Sequence, residues 1–230
     1  MIVVPCPERA ERILQAGSMR CPRCRGRLRP FGHGRTRTVR GRGTATLRVT
    51  PRRARCADCG GTQILLPTTL TVRRADSTEV IGAALAAKAG GAGFRAIAAA
   101  LARPVSTVRS WLRRVPDGHA RWLYERAVDR AVQIDRELLV GSGPYPTVLG
   151  QYPTVLGQAL NLLAGAALRY RERLGLPDTP WALIGFFAQG RLLAPAATPL
   201  TCWSAGPAGP RPCPAAAVTV PSTRRRLAPG

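Results

Sequence analysis

Cys21-Pro22-Arg23-Cys24 and Cys56-Ala57-Asp58-Cys59-Gly60-Gly61 decide how this chain of 230 residues is read. Two Cys-x-x-Cys pairs are the sequence form of a four-thiolate zinc site: each pair sits on a tight turn, and the chain between them folds back to bring the turns together. Zinc holds its sulfurs at about 2.3 Å, and two cysteines three apart can point at one centre when a Pro or Gly helps the backbone turn. Cys21, Cys24, Cys56 and Cys59 are therefore the candidate ligands of one Zn²⁺. The alternatives are a redox Cys-x-x-Cys or two disulfides. A redox motif occurs once beside a βαβ pattern, and disulfides belong to exported chains, so metal is the favoured reading.

The 31 residues between the pairs exceed the about 15 to 20 of the commonest spacing, so they must form something of their own. Thr36–Arg40 and Thr44–Thr50 are rich in β-branched residues and flank Gly41-Arg42-Gly43, which predicts a hairpin. Gln63–Pro67 reads as a last strand leaving the second cysteine turn, so that residues 20–74 form a zinc ribbon. Arg20, Arg23, Arg25 and Arg55 offset the negative charge of a thiolate cluster. His33 is a further ligand type, but four cysteines already fill a tetrahedron, which leaves it a surface or phosphate-contacting role. Residues 1–19 are a lead, apolar at Ile2-Val3-Val4 and helical around Glu8 to Gln15. The lone Cys6 has no partner at ligand spacing and reads as a free or buried thiol.

The net charge is +23, and its distribution is uneven. Between residues 20 and 74 stand 15 arginines against the single acid Asp58. Codon bias in a GC-rich coding sequence accounts for Arg in place of Lys, of which Lys88 is the only example, but not for missing acids. A field this concentrated attracts a polyanion, and Arg suits phosphate because it binds in two-pronged fashion and releases counterions. Arg40, Arg42 and Arg48, on the hairpin, are the expected phosphate contacts. Nothing resembles a secretory leader or a membrane span: Met1–Val4 is short and followed by Glu8 and Glu11, and Val80–Ala102 is interrupted by Lys88, Gly90-Gly91 and Arg95. The expected location is the cytoplasm, at the nucleoid, with no membrane partner and no small-molecule substrate evident.

Residues 75–115 change to helical patterning. Asp76-Ser77-Thr78-Glu79 supplies cap residues and first-turn acids, and Val80, Ile81, Ala84 and Leu85 follow at helical spacing until Gly90-Gly91-Ala92-Gly93. A second short helix, Phe94–Ala102, is broken by Arg103-Pro104-Val105. Ser106 is expected to cap a third, in which Val108, Trp111, Leu112 and Val115 form one stripe. At about 100° per residue, Ser106, Ser110 and Arg113 point away from that stripe, Arg109 and Arg114 flank it, and Thr107 lies near its edge. Small hydroxyls followed by arginines suit a recognition helix, since short side chains let it enter the major groove and guanidinium groups reach guanine edges or phosphates. The candidate DNA contacts are Ser106, Thr107, Arg109, Ser110, Arg113 and Arg114, with Arg95 and Arg103 beside them. The competing reading is an ordinary three-helix core with a solvated arginine face.

The run Gly93–Ala98 through Pro104–Arg114 resembles the helix-turn-helix of insertion-sequence transposases and related bacterial regulators. With Cys21-Pro-Arg-Cys24, Gly32-His33-Gly34, Arg52-Arg53-Ala54-Arg55-Cys56 and Cys59-Gly60 ahead of it, the chain is similar to a family of zinc-ribbon plus helix-turn-helix proteins of high-GC bacteria, itself resembling the N-terminal DNA-binding region of such transposases. The resemblance covers about residues 20–115 and implies duplex DNA and zinc; it supplies no biological role.

Residues 116–194 read as a C-terminal helical region. Residues 116–140 form one amphipathic helix with Leu123, Ala127, Ala131, Ile134 and Leu138 on a stripe suited to packing or to a homodimer. Tyr145–Gln151 is repeated verbatim as Tyr152–Gln158, a single extra copy that lengthens a loop. Ala159–Leu174 is helical, and Trp181–Phe187 is a short buried helix or strand. From about Pro195 Ala and Pro dominate, which predicts a disordered tail over 195–230 in which Cys202 and Cys213 lack ligand spacing. A strand-transfer active site needs three carboxylates converging on metal ions, yet of the seven acids after the third helix five crowd into residues 117–137. The expectation is a non-enzymatic DNA-binding protein of α+β class, in transcription regulation or transposase-related. A transposase or its remnant, or an RNA-associated ribbon protein, are the alternatives.

Overall fold

The computed structural model describes residues 1–4, 7–140, 153–176 and 178–194. Within them the fold is α+β. Six strands, β1 (Ile2–Val4), β2 (Leu28–His33), β3 (Arg37–Arg40), β4 (Thr46–Val49), β5 (Arg52–Cys56) and β6 (Thr62–Pro67), form a four-stranded sheet in the order β1-β6-β5-β2 and a separate β3-β4 pair. β2, β5 and β6 pair antiparallel, while β1 lies parallel to β6 with Val3 opposite Leu66. The period-two alternation sends Ala54 and Cys56 to one face of β5 and Arg53 and Arg55 to the other. The first face is covered by helix α1 (Pro7–Gln15), whose Ala10 and Leu14 pack with Leu28, Ala54, Cys56 and Leu65. Arg52 fixes that helix by donating to both carboxylate oxygens of Glu11, at 2.7 and 2.9 Å. Residues expected to be a lead thus supply a strand and the cover of the sheet; three apolar residues carry too little periodicity to announce a parallel edge strand.

The hairpin forms where the sequence predicts it, with Val39 opposite Leu47 and Arg40 opposite Thr46. Its turn is closed by Gly41 N–H to Ala45 O at 2.7 Å, and Gly43 takes the left-handed φ of 55° that the tight reversal requires. Val39 is buried with Leu66 and Leu70, so the hairpin leans on the end of the main sheet.

The remaining helices, α2 (Thr78–Ala89), α3 (Phe94–Ala100), α4 (Val105–Leu112), α5 (Asp117–Ile134), α6 (Glu137–Val140), α7 (Val155–Leu174) and α8 (Pro180–Phe187), share one core. Ile81 and Leu85 of α2, Val108 and Trp111 of α4, Leu123 of α5, Leu163 of α7 and Ile184 of α8 all belong to it. Packing therefore does not stop at Val115. Gly82 lets α8 approach α2 so closely that a Cβ there would lie 2.3 Å from the Trp181 ring, and a Cβ at Gly185 would lie 2.7 Å from Thr68 O.

Three local expectations are corrected. Ser77 caps α2, accepting from Val80 N–H at 3.3 Å, but Ser106 caps nothing: Pro104 holds the N-cap position with extended φ and ψ, and Ser106 sits in the first turn of α4. The single helix expected over 116–140 breaks at Asp135, which leaves helical geometry (φ −163°, ψ 111°) while its carboxylate accepts from Arg169 Nε at 2.7 Å and from Glu137 N–H at 3.1 Å. The stripe Leu123, Ala127, Ala131, Ile134, Leu138 is buried as the spacing predicts, but α5 packs against α7 of the same chain. The second copy of the repeat opens a helix: Thr154 accepts from Gly157 N–H at 3.1 Å to cap α7. Trp181–Phe187 is helical, in α8. Cys6, the first repeat copy, and the tail with Cys202 and Cys213 lie outside the described residues. No described helix is long and apolar enough to cross a membrane.

Candidate metal centre and the basic surfaces around it

The two cysteine turns have the same backbone construction. In the first, Cys21 N–H donates to Gly26 O at 2.8 Å and Arg25 N–H to Cys21 O at 2.9 Å; in the second, Cys56 N–H donates to Gly61 O at 3.0 Å and Gly60 N–H to Cys56 O at 3.2 Å. The fourth residue after each leading cysteine is left-handed, with φ of 66° at both Arg25 and Gly60. Glycine takes that conformation freely, whereas at Arg25 it costs about 1 kcal/mol. Ala57 N–H donates to Arg27 O at 2.9 Å, tying the second turn to the first, and Gly26 admits the Asp58 carboxylate where a Cβ would lie 2.1 Å from Oδ2.

This construction brings the four sulfurs together. Cys21 Sγ lies 3.8 Å from Cys59 Sγ, Cys24 Sγ lies 3.4 Å from Cys56 Sγ, and all four fall within 4.8 Å of one another. A tetrahedron with arms of about 2.3 Å has edges of about 3.8 Å, so the cluster has the size of a tetrahedral thiolate site. Its electrostatics point the same way. Backbone N–H groups of Arg23 and Cys24 bond to the Cys21 sulfur and lower its pKa to about 7. At Cys24 the Gly26 N–H also favours the thiolate, but the neighbouring sulfurs of Cys56 and Cys59 outweigh it and push the pKa up to about 12. Cys21 ionises readily and Cys24 resists; a cation among the sulfurs removes that resistance. Cys21 and Cys56 are buried and Cys24 and Cys59 exposed, so the cluster sits at the sheet end with a way in. The four cysteines could hold a metal ion. His33, exposed at the end of β2, is not among them.

The hairpin joins the helices through a buried carboxylate. Asp76 is 2% exposed; it accepts from Arg103 Nε at 2.8 Å and from an Arg40 guanidinium nitrogen at 2.7 Å. Arg103 also donates to the carbonyls of Gly41, Leu101 and Ala102. The backbone follows suit: Arg40 N–H donates to Ala75 O at 2.7 Å and Ser77 N–H to Arg40 O at 2.9 Å. Asp76, expected as a first-turn acid of α2, is instead the pin between the hairpin tip and the turn from α3 to α4.

That pin sorts the candidate DNA contacts. Arg103, its side chain 5% exposed and its donors committed, is a structural residue and is withdrawn from the contact set. Arg40 is shared with Asp76, and Arg42 pairs with Glu79 at 3.0 Å, so both face the helices. Arg48 is exposed on β4 with no ion-pair partner among the described residues. On α4 and its C-cap, Ser106, Arg109 and Arg113 are exposed and Val108 and Trp111 are turned into the core, as the helical angles predict, while Thr107 is half-buried and so is Ser110, which those angles had pointed away from the stripe. Arg95 is exposed and, with Arg109, lies over the Phe94 ring at 5.9 and 5.7 Å. A pocket of about 310 Å³ opens there, bounded by Lys88, Phe94, Arg109 and Arg113. Arg114 is half-buried, its N–H side near Ala194 O at 3.5 Å, while Ala194 N–H donates to Arg114 O at 2.8 Å.

No family model matches the chain, and no curated protein or solved structure does either. The residues themselves carry the functional reading. Sequence reasoning did not bring together Arg29, Phe31, Arg53 and Arg55, the last read only as a counter-charge to the thiolates, which the register of β2 and β5 gathers on the face of the sheet opposite α1. The alternation of Arg52-Arg53-Ala54-Arg55-Cys56 was the available signal, since it puts two arginines opposite two residues destined for the core.

Proposed function

We propose that this chain is a zinc-containing, non-enzymatic DNA-binding protein, a transcriptional regulator or transposase-related factor acting at the nucleoid. The cysteine sheet is its zinc ribbon, and α3, the turn at Ala102 and α4 are its helix-turn-helix. The observation that carries the reading is the exposed edge of α4, where Ser106, Arg109 and Arg113 pair with no acid among the described residues while the opposite side of the helix is locked into the core. Ala102 supports it, taking the left-handed φ of 49° that a tight turn between two packed helices needs. When bound, Zn²⁺ supplies the energy that holds the two cysteine turns together. Arg109 and Arg113 meet the edges of the bases, and Arg95 and Arg48 meet phosphate.

Site selection on random duplex DNA tests the reading. With the selected site in hand, Arg113→Ala should lose about 1 to 3 kcal/mol on that duplex and less on a random one, whereas Arg48→Ala should weaken both alike and lower the salt slope by about 0.9. Equal losses on both duplexes for Arg113→Ala would remove α4 from the base-reading role. The absence of any enriched site would remove sequence-specific recognition itself.

A further inference from the structure

The face of the cysteine sheet opposite α1 is a feature that the proposed duplex grip does not use. Its register aligns Arg29 with Arg55 across β2 and β5, and Arg53 with Ile64 across β5 and β6. Phe31, 40% exposed, lies on this face with the guanidinium groups of Arg53 and Arg55 at 5.2 and 5.4 Å from its ring centre. Ile64 beside them is 43% exposed. No acidic residue occurs in β2, β5 or β6, and the arginine on the opposite face, Arg52, is the one that pairs with Glu11. An aromatic ring and an aliphatic side chain thus stand exposed side by side among three arginines that meet no acid among the described residues, Arg55 donating only to Gly60 O at 3.2 Å, and an apolar patch rimmed by cations marks a binding surface.

We infer that this face binds single-stranded DNA, with Phe31 as the platform on which an unpaired base stacks and Arg29, Arg53 and Arg55 as its phosphate contacts. A duplex keeps its bases stacked on each other, so an aromatic ring on a flat strand face has no partner there; an unpaired base offers its whole face. Arg53 and Arg55, two residues apart on one strand, are about 7 Å from each other along β5, on the order of one nucleotide step of an extended strand. DNA is the single strand chosen because the inference rests on the duplex-DNA reading of α4: one chain would then hold a duplex and an adjoining unpaired segment. The ring is already flanked by guanidinium groups, and a stacked base extends that arrangement through cation–π contact.

Fluorescence anisotropy with the zinc-loaded full chain tests this, using an oligothymidine of about 15 nucleotides, an oligouridine of the same length and a random duplex. Phe31→Ala should weaken oligothymidine binding about tenfold with little change in salt slope, and Phe31→Trp should retain it. Arg29→Gln with Arg53→Gln should lower the single-strand salt slope by about 0.7 per contact removed. Duplex affinity should be unchanged in Phe31→Ala, and Arg113→Ala should show the reverse pattern. Zinc content and circular dichroism matching those of the parent chain establish that each variant is folded. Unchanged oligothymidine affinity in a folded Phe31→Ala overturns the inference. So does an equal loss on duplex, which would make the face part of a single duplex grip, and so does tighter binding of oligouridine than of oligothymidine, which would make the partner RNA. Loss of duplex selectivity with intact single-strand binding would instead strike the α4 reading alone.

Discussion

Asp76→Ala is the substitution on which the link between hairpin and helices stands or falls. The carboxylate is 3% exposed in its side chain and Arg103 is 5% exposed, so their ion pair is shielded from solvent. At a charge separation of about 4 Å and an effective dielectric of about 20, the attraction amounts to about 4 kcal/mol. Removing the carboxylate leaves the Arg103 charge buried with only carbonyl partners, and breaking a buried pair from one side costs about 3 to 5 kcal/mol. Arg40 contributes less, because its side chain is 43% exposed; Arg40→Ala should cost about 1 kcal/mol. Urea denaturation of the zinc-loaded protein measures both. The double variant Asp76→Ala/Arg103→Met should be more stable than Asp76→Ala alone, since it no longer strands a charge. A loss under about 1 kcal/mol in Asp76→Ala, or equal costs for Asp76→Ala and Arg40→Ala, would refute the pin.

Protein purified without added metal should carry one zinc per chain, and Cys56→Ser should lose both the metal and the protection of β2, β5 and β6 from hydrogen exchange; full zinc in that variant sinks the four-cysteine site. Gly82→Ala should destabilise despite a helix-propensity gain of about 1 kcal/mol, because its Cβ meets the rigid Trp181 ring at 2.3 Å and overpacking costs about 1 to 3 kcal/mol; Gly82→Ala with Trp181→Leu should recover the loss, and a stabilised single variant contradicts the close approach of α8 to α2. The Arg169 hydrogen bond to Asp135 holds that carboxyl below the usual aspartate range, so the folded chain binds fewer protons there than the unfolded one. The stabilisation is complete above about pH 4 and is lost as pH falls through the lowered folded value. Stability measured for the parent and Asp135→Asn should therefore differ near neutrality and converge in acid, and a difference that holds constant down the acid range contradicts it.

The four-cysteine cluster was legible in the sequence because ligand chemistry is local: two Cys-x-x-Cys turns each close on themselves. The hairpin and the α4 stripe were legible for a related reason, since Gly41-Arg42-Gly43 and the spacing Val108, Trp111, Leu112 are local periodic signals. What could not be read was tertiary. Asp76 looks like any first-turn acid until Arg103, 27 positions on, comes to meet it. β1 is invisible because parallel pairing with β6 depends on a strand some 60 residues away. The break at Asp135 was hidden for the same reason: the stripe continues through it, and the cations that meet the carboxylate outside the helix, Arg169 and Arg173, come from α7. The change of patterning at Val115 also hides a shared interior: Ile81, Trp111, Leu163 and Ile184 fill one core, so a fragment ending at Val115 would expose it.

The arginines show how the same residue type divides into structure and function. The chain has 35 basic residues and 12 acids, so most arginines have no acid to meet. Those the fold draws to an acid are spent on architecture: Arg52 on Glu11, Arg103 and Arg40 on Asp76, Arg42 on Glu79, Arg169 on Asp135. These pairs join α1 to the sheet, the hairpin to α2 and to the turn before α4, and α6 to α7. Among the arginines left over, Arg95, Arg109 and Arg113 gather around Phe94, and Arg53 and Arg55 lie over Phe31 with Arg29 opposite Arg55 in the sheet. Because the pin at Asp76 ties the hairpin to the turn before α4, and the hairpin in turn leans on the sheet, the two basic clusters are held in a fixed relation by burying a charge that neither of them uses. A surface that merely needed solubility would have no reason to pair each cluster with an aromatic ring or to fix the distance between them.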